Sequence, residues 1–183
     1  AHYRKKEFTL GTVGRLTGTN QVEVWNGLRS RAGERFLVAS GTSEEKERER
    51  SAIKSADCLV MDLTSLLTLH RLRLLDLTST RFNKIFIAQA VLDELNETIV
   101  NGYSGALPSA IISKGDAQYY HEELTADDFE KGKRFLQEIR DFIETKSEVI
   151  PAPGMLAIGY EEAEKYKEII GSSAFASVVA SID

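Results

Sequence analysis

From residue 58 onward, short apolar runs alternate with longer segments whose apolar residues recur at helical spacing. The runs CLVM (58–61) and KIFIA (84–88) are continuously apolar, which is typical of buried strands in parallel sheets. SEVIPA (147–152) predicts a third strand. The segments between them predict helices, since their apolar residues recur every three or four positions. Strand–helix–strand order with buried strands predicts an α/β fold, in which a parallel sheet is flanked by helices on both faces.

Several of the predicted helices have recognisable boundaries. One begins directly after Asp62, and another follows the strand KIFIA. A long helix over 125–146 has Thr125 as its cap, because a Thr hydroxyl can accept from the free N–H groups of the first turn. Two more helices are divided at Gly171. The segment 101–120 predicts mainly loops.

The chain before residue 55 has a different pattern and predicts a separate small unit. Residues 8–40 predict a small β-meander, since FTLGTVGRL, VEVW and RFLVAS are separated by Gly-containing turns, and the single tryptophan would anchor its core. The charges of the run 44–50 nearly cancel, so a solvated connecting helix is favoured over an RNA-binding arm. The predicted domains are therefore a β-rich unit with its connecting helix (1–54) and an α/β domain (55–183).

Composition narrows the class of protein. The 183 residues carry a net charge of −5, which argues against a general basic nucleic-acid-binding surface but not against a local basic patch. The single cysteine, Cys58, excludes an intramolecular disulfide and is typical of a reducing compartment. Its apolar neighbours favour a buried small side chain over a reactive thiol. No run approaches the ~20 apolar residues of a membrane helix, so a cytoplasmic protein without membrane contact is predicted.

Two carboxylates fall where parallel α/β sheets place their functional groups, beyond the carboxyl ends of the strands. Asp62 ends the first predicted strand, and Glu94 lies on the helix after the second. Adjacent strands would bring both into one crevice, where two acids must protonate, pair with a base or share a cation. Mg²⁺ or Mn²⁺ suits them better than Zn²⁺, because no Cys/His cluster exists in the sequence. Thr64 and Ser65 could support Asp62 or cap the following helix.

A purely structural interpretation explains the same two acids. Asp62 would be the N-cap of the helix that follows it, because an Asp side chain accepts well from the first free N–H groups of a helix. Glu94 would be a solvated helix residue. The spacing alone does not decide between this interpretation and metal binding.

The stretch LVMDLTSLLTLHRL followed by KIFIAQAVLDEL resembles the PIN-domain family, and the resemblance covers about residues 57–183. On this pattern Asp62 matches the first acid of the family, Thr64 and Ser65 the hydroxyl residues beside it, and Glu94 the second acid. The resemblance implies a metal-dependent ribonuclease. In such enzymes three or four carboxylates hold Mg²⁺ or Mn²⁺, which activates a water for attack on a phosphodiester.

The chain departs from the family pattern at the third acid, which usually follows a Gly near the start of the late helix. Here that stretch is IIGSSAFASVVAS, which has no carboxylate. The family's last strand would lie beyond residue 183, so we expect a piece of a longer protein that is truncated at its C-terminal strand. The alternatives are a degenerate, non-catalytic PIN-like module that binds RNA or a protein partner, and a structural domain without a role in nucleic-acid metabolism.

The remaining expectations concern partners. His70, Arg71 and Arg73 follow Asp62 on the same predicted helix and are candidates for RNA contact, although an ordinary solvated helix face explains them as well. RNA is the expected partner if the domain is active, and a homo-oligomer or a protein partner remains open. The segment 8–40 ahead of a PIN-like unit suggests a multidomain parent protein, in which the module follows a transcript-cleavage-factor-like or repeat region.

Overall fold

The computed structural model of the chain describes residues 9–29, 42–101, 110–114, 119–123 and 125–182. The helices in these ranges are α1 (Leu10–Thr17), α2 (Gln21–Arg29), α3 (Ser43–Ser55), α4 (Leu63–Arg71), α5 (Leu75–Arg81), α6 (Gln89–Asn101), α7 (Ala126–Lys146), α8 (Tyr160–Ile170) and α9 (Ser172–Ala180). The strands are β1 (Cys58–Met61), β2 (Lys84–Ala88), β3 (Ala110–Lys114), β4 (Tyr119–Glu123) and β5 (Glu148–Ile150), and a 3-10 turn covers Pro153–Leu156.

Three of the strands form a parallel sheet in the order β1–β2–β5. In its register Met61 pairs with Ile87, and Ala88 pairs with Ile150. All three were predicted, and the α/β fold with a parallel sheet between helices is confirmed. The strands β3 and β4 pair in antiparallel fashion. β3 lies within the segment 101–120 that predicts mainly loops, and β4 begins at the end of that segment.

The core of the α/β unit forms because each helix buries one apolar stripe against the sheet or against another helix. Leu63, Leu66 and Leu67 are fully buried on α4, and Val91 and Leu95 are fully buried on α6. On α7 the buried positions Leu136, Ile139, Phe142 and Ile143 recur at three- and four-residue spacing. This packing places the start of α4 and the first turns of α6 at the carboxyl edge of the sheet.

The predicted β-meander at the N-terminus is wrong for residues 10–29, which form α1 and α2. Thr9 caps α1, and Gly18 ends it in the left-handed conformation, with φ 68°. Asn20 and Glu23 cap the start of α2 reciprocally. The alternation in VEVW is only four residues long, and these capping contacts outweigh such a short period-2 signal. The run RFLVAS lies outside the described residues.

The predicted connecting helix is α3, which begins after a capping box between Thr42 and Glu45. Its residues are all exposed. The guanidinium group of Arg81 donates to the carbonyls of Ile53 and Lys54 at 2.6 and 2.8 Å, which satisfies free carbonyls at the end of the helix. The N-terminal pair α1–α2 shares one hydrophobic cluster with the sheet, while the division of the chain at residues 54 and 55 stays a prediction.

Two further observations bear on the predicted surface. Cys58 is exposed, so the prediction of a buried small side chain is wrong: the residue is the first of β1, which lies at an edge of the described sheet. None of the helices in the described ranges combines the length and the apolar character that crossing a membrane requires.

Candidate functional site

Asp62 lies directly after β1 and is the N-cap of α4. Its Oδ1 accepts a hydrogen bond from the backbone N–H of Ser65 at 2.8 Å. The other carboxylate oxygen has no hydrogen-bond partner among the described residues, and the side chain is half-buried. The cap therefore accounts for one oxygen of the Asp62 carboxylate, and by fixing that oxygen it also orients the other.

Glu94 lies on the second turn of α6 and is half-buried. Burial raises the pKa of its carboxyl above the usual range, and the negative charge of Glu97 raises it further. The Ser173 hydroxyl and the backbone N–H of Gln21 act against this shift, because they interact favourably with the ionised form. The structural interpretation required Glu94 to be a solvated helix residue. The half-buried position of its side chain does not agree with that.

Ser173 lies at the start of α9 and lines the same cleft as Glu94. Its side chain is buried, with 1 % of the residue exposed. The hydroxyl is close enough to Glu94 to lower the pKa of that carboxyl, but its geometry is not that of a full hydrogen bond, and it has no other partner among the described residues. A buried hydroxyl in this situation is usually explained by a ligand or a water molecule that completes its hydrogen bonding.

A cleft of about 670 Å³ contains Glu94 and Ser173. One wall is α6, which contributes Asp93, Glu94 and Glu97. The other lining residues come from α1, from the start of α2 and from the junction of α8 and α9 around Gly171. Asp62 is not among the described residues that line this cleft. The common site for Asp62 and Glu94 therefore stays a prediction.

Gln21 is hydrogen-bonded to the start of α4 and lines the cleft that contains Glu94. Its side-chain amide donates to the hydroxyl of Thr64, two residues after Asp62, and its backbone N–H faces Glu94. Sequence reasoning missed both Gln21 and Ser173, since they lie far from Asp62 and Glu94 along the chain. The only available signal was the pair Asn20 and Glu23, whose N-x-x-E spacing is typical of a helix start.

The three predicted RNA-contacting residues lie at the far end of α4. His70 pairs with Glu138 at 3.0 Å, and its ring packs against Phe135 with a centroid distance of 4.7 Å. Arg71 and Arg73 are exposed, and Arg73 has a φ of 59° in the turn before α5. Since α4 has nine residues, this end is about 13 Å along the helix from Asp62. An RNA contact at these residues stays a prediction.

The acids that line the cleft offer carboxylate oxygens, the ligand type that hard divalent cations prefer, and a metal site here stays a prediction. The described residues contain no group of three or more His, Cys, Asp or Glu side chains that could hold a metal ion. Mg²⁺, however, is commonly held by one or two carboxylates together with water and substrate phosphates. A half-buried Glu94 next to the like charge of Glu97 is also the environment in which a cation stabilises the ionised acid.

The raised pKa of Glu94 leads to a prediction for the metal-free protein. The folded state binds the proton more tightly than the unfolded state, whose Glu pKa is about 4.3. The free energy of unfolding of the wild type should therefore fall as the pH rises above the pKa of the unfolded state. Glu94→Gln should not show this fall, because Gln does not ionise. We expect the variant to be the more stable protein at neutral pH and the difference to vanish below about pH 4.

Chemical denaturation at several pH values in the presence of chelator measures this difference. Glu161→Gln, which changes an exposed acid on α8, is the matched control and should show no such pH dependence. A Glu94→Gln variant that is less stable than wild type at neutral pH would contradict the expected cost of burying this carboxylate.

Comparisons with known proteins bear on the same part of the chain. A family model described as a PIN domain associated with the TPR-GreAB-C-PIN system matches residues 60–183. No curated protein and no solved structure matches the chain significantly. The matched region begins within β1 and contains Asp62, Glu94 and Ser173, whereas α1 and α2 lie outside it.

Proposed function

Because the chain belongs to the PIN-domain family, whose members are generally nucleases, we propose that it is an endoribonuclease domain that depends on Mg²⁺ or Mn²⁺. The observation that carries this proposal is the position of Asp62 and Glu94 after adjacent parallel strands. The carboxyl edge of such a sheet is where α/β proteins bind their ligands. The proposed substrate is RNA, and the proposed reaction is hydrolysis of a phosphodiester.

In this proposal Asp62 and Glu94 hold the cation. When bound, a divalent cation lowers the pKa of a coordinated water and stabilises charge on the phosphate. Ser65 orients Asp62 through its backbone N–H, so the carboxylate needs little reorganisation to bind. The partial burial of Glu94 excludes competing water and strengthens its interaction with a cation. Thr64 and Ser65 support the Asp62 side of the site.

RNA cleavage by the purified chain, with and without chelator, tests this proposal. We expect cleavage of single-stranded RNA in Mn²⁺ or Mg²⁺, loss of cleavage with EDTA, and recovery when the metal is added back. The parallel reaction with Glu161→Gln controls for a contaminating nuclease, because it should match wild type while Glu94→Gln is inactive. Cleavage that persists in chelator, or that Glu94→Gln retains, would contradict a metal mechanism at this site.

A second candidate function is a non-catalytic module that binds RNA or a protein partner. The observation that favours it is Ser173, which lies just after Gly171 at the start of α9, where the family pattern has an acid. An open two-carboxylate site binds metal more weakly than one with three acids. Retention of RNA without cleavage in any metal would support this second function over the first.

The domain context is also a proposal. The description of the matching family model refers to a system with TPR and GreAB-C parts, and we propose that this chain acts beside such domains in a multidomain protein of the cytoplasm.

A further inference from the structure

The pair α1–α2 is fixed against the candidate site by several contacts. The hydroxyls of Thr9 and Thr12 donate to the last carbonyls of α8, those of Ile169 and Ile170. Gly11 packs directly on the backbone of Gly171, and a Cβ on Gly11 would lie 2.9 Å from the carbonyl oxygen of Ile170. Only a glycine permits this approach without a shift of the backbone. The pair is thus docked at the junction from which Ser173 enters the cleft.

Gln21 is the residue of this pair that reaches the candidate ligands. Asn20 is the N-cap of α2, since its Oδ1 accepts from Glu23 N–H at 2.8 Å. The N–H of Gln21 is therefore one of the first N–H groups of the helix, which have no partner within it, and Gln21 lines the same cleft as Glu94. The side-chain amide points to α4 and donates to Thr64. Only 5 % of Gln21 is exposed.

We propose that Gln21 is a positioning residue that sets the separation between Glu94 on α6 and the start of α4, which carries Asp62. The inference rests on the proposed function, because it assigns Gln21 a role toward the metal that those acids would hold. Two like charges repel each other without a cation, and Gln21 is hydrogen-bonded to the start of α4 while it lines the same cleft as Glu94. Outer contacts of this kind orient metal ligands, and their removal typically costs 10–100-fold in metal affinity.

The inference adds the N-terminal pair to the functional unit. The region that matches the PIN-domain family starts at residue 60, yet one wall of the cleft and the contact to Thr64 come from residues 10–29. Trp25 and Val22 are each 1 % exposed and belong to the same hydrophobic cluster as α4. Gln21 is therefore fixed by buried neighbours on its own helix, as a positioning residue must be.

Calorimetric titration with Mn²⁺ tests the proposal in the full chain. Gln21→Ala removes the amide and its volume, whereas Gln21→Met keeps most of the volume and removes only the hydrogen bond. We expect both variants to lose affinity by about tenfold. Gln137 is a half-buried residue of α7 that does not line the cleft. The control variant Gln137→Ala should therefore bind Mn²⁺ as wild type does. Asp62→Asn, which lacks a proposed metal ligand, is the reference variant for complete loss of Mn²⁺ binding.

The outcomes separate this inference from the proposed function. If wild type binds Mn²⁺, Asp62→Asn does not and both Gln21 variants bind normally, the positioning role is wrong while the metal site stands. If only Gln21→Ala loses affinity, packing is responsible and the positioning role of the amide is likewise wrong. If wild type does not bind Mn²⁺, the proposed function fails, and the positioning role fails with it.

A double-mutant cycle without metal provides the second readout. Gln21→Met and Thr64→Val each remove one side of the hydrogen bond between these residues. If the bond exists in solution, the double variant should lose less stability than the sum of the two single losses. Strict additivity would overturn the proposal, since Gln21 would then have no contact with the start of α4 through which to act.

Discussion

Replacing Asp62 by Asn should abolish Mn²⁺ binding and reduce RNA cleavage by more than about a hundredfold, because loss of a ligand costs more than loss of an outer contact. The same variant should fold normally. Asn is as good an N-cap as Asp, so the hydrogen bond from the N–H of Ser65 can be kept. The measurements are calorimetric titration, a cleavage assay and denaturant unfolding of the same preparations.

Asp62→Ala separates capping from metal binding. It removes the metal ligand and the cap together, so activity should be lost as in Asp62→Asn, but stability should also fall by about 1 kcal/mol. Equal stability of the Ala and Asn variants would mean that the cap contributes little. Full metal affinity and cleavage in Asp62→Asn would mean that Asp62 is a helix cap alone and would contradict its assignment as a ligand.

The second large effect is expected at Trp25, in the unit that the sequence placed outside the α/β domain. Its ring is 1 % exposed, lies 5.7 Å from that of Phe135 between centroids, and its Nε1 donates to Thr68 at 3.3 Å. Trp25→Ala should therefore cost about 3–5 kcal/mol. Because the contacts join α2 to α7 and α4, the loss should appear in the unfolding of the α/β unit itself.

Chemical denaturation followed by far-UV circular dichroism measures this loss. The matched control is Trp25→Phe, which keeps an aromatic side chain opposite Phe135 and should cost clearly less than the Ala variant. A small first transition in Trp25→Ala, followed by unfolding of the remaining structure at the wild-type midpoint, would instead mean that α1–α2 forms an independent unit, as predicted from the sequence.

The sequence predicted the elements whose signals are local and repeated. CLVM and KIFIA are continuous apolar runs, and each became a strand of the parallel sheet. Thr125 begins the 21-residue helix α7 with a capping box, and Gly171 divides α8 from α9. In each case hydrophobic periodicity agrees with a cap or a breaker residue, so local and tertiary preferences point to the same structure.

The prediction of a β-meander in the N-terminal segment was wrong because the local signals of this segment conflict. VEVW alternates like a strand, whereas Asn20 and Glu23 cap a helix. The caps and the core agree on the helix, since the helical form also lets Val22 and Trp25 enter the core together, three residues apart on one face of α2. Whether a core is there to receive these two side chains depends on the rest of the fold and not on this stretch. Cys58 was mispredicted for a similar reason, because an apolar neighbourhood does not say whether a strand lies at the edge of its sheet.

For the candidate site, the sequence by itself determined which acids follow the two buried strands, because strand period and order are encoded locally. Their assignment as metal ligands stays a prediction. Only the tertiary structure brought Gln21 to Thr64 and Glu94, and Ser173 to the cleft. Those residues are 43 or more positions from their partners, and a contact at that distance is set by how whole helices dock. Helix docking depends on the summed burial of many side chains, which no short stretch of sequence specifies.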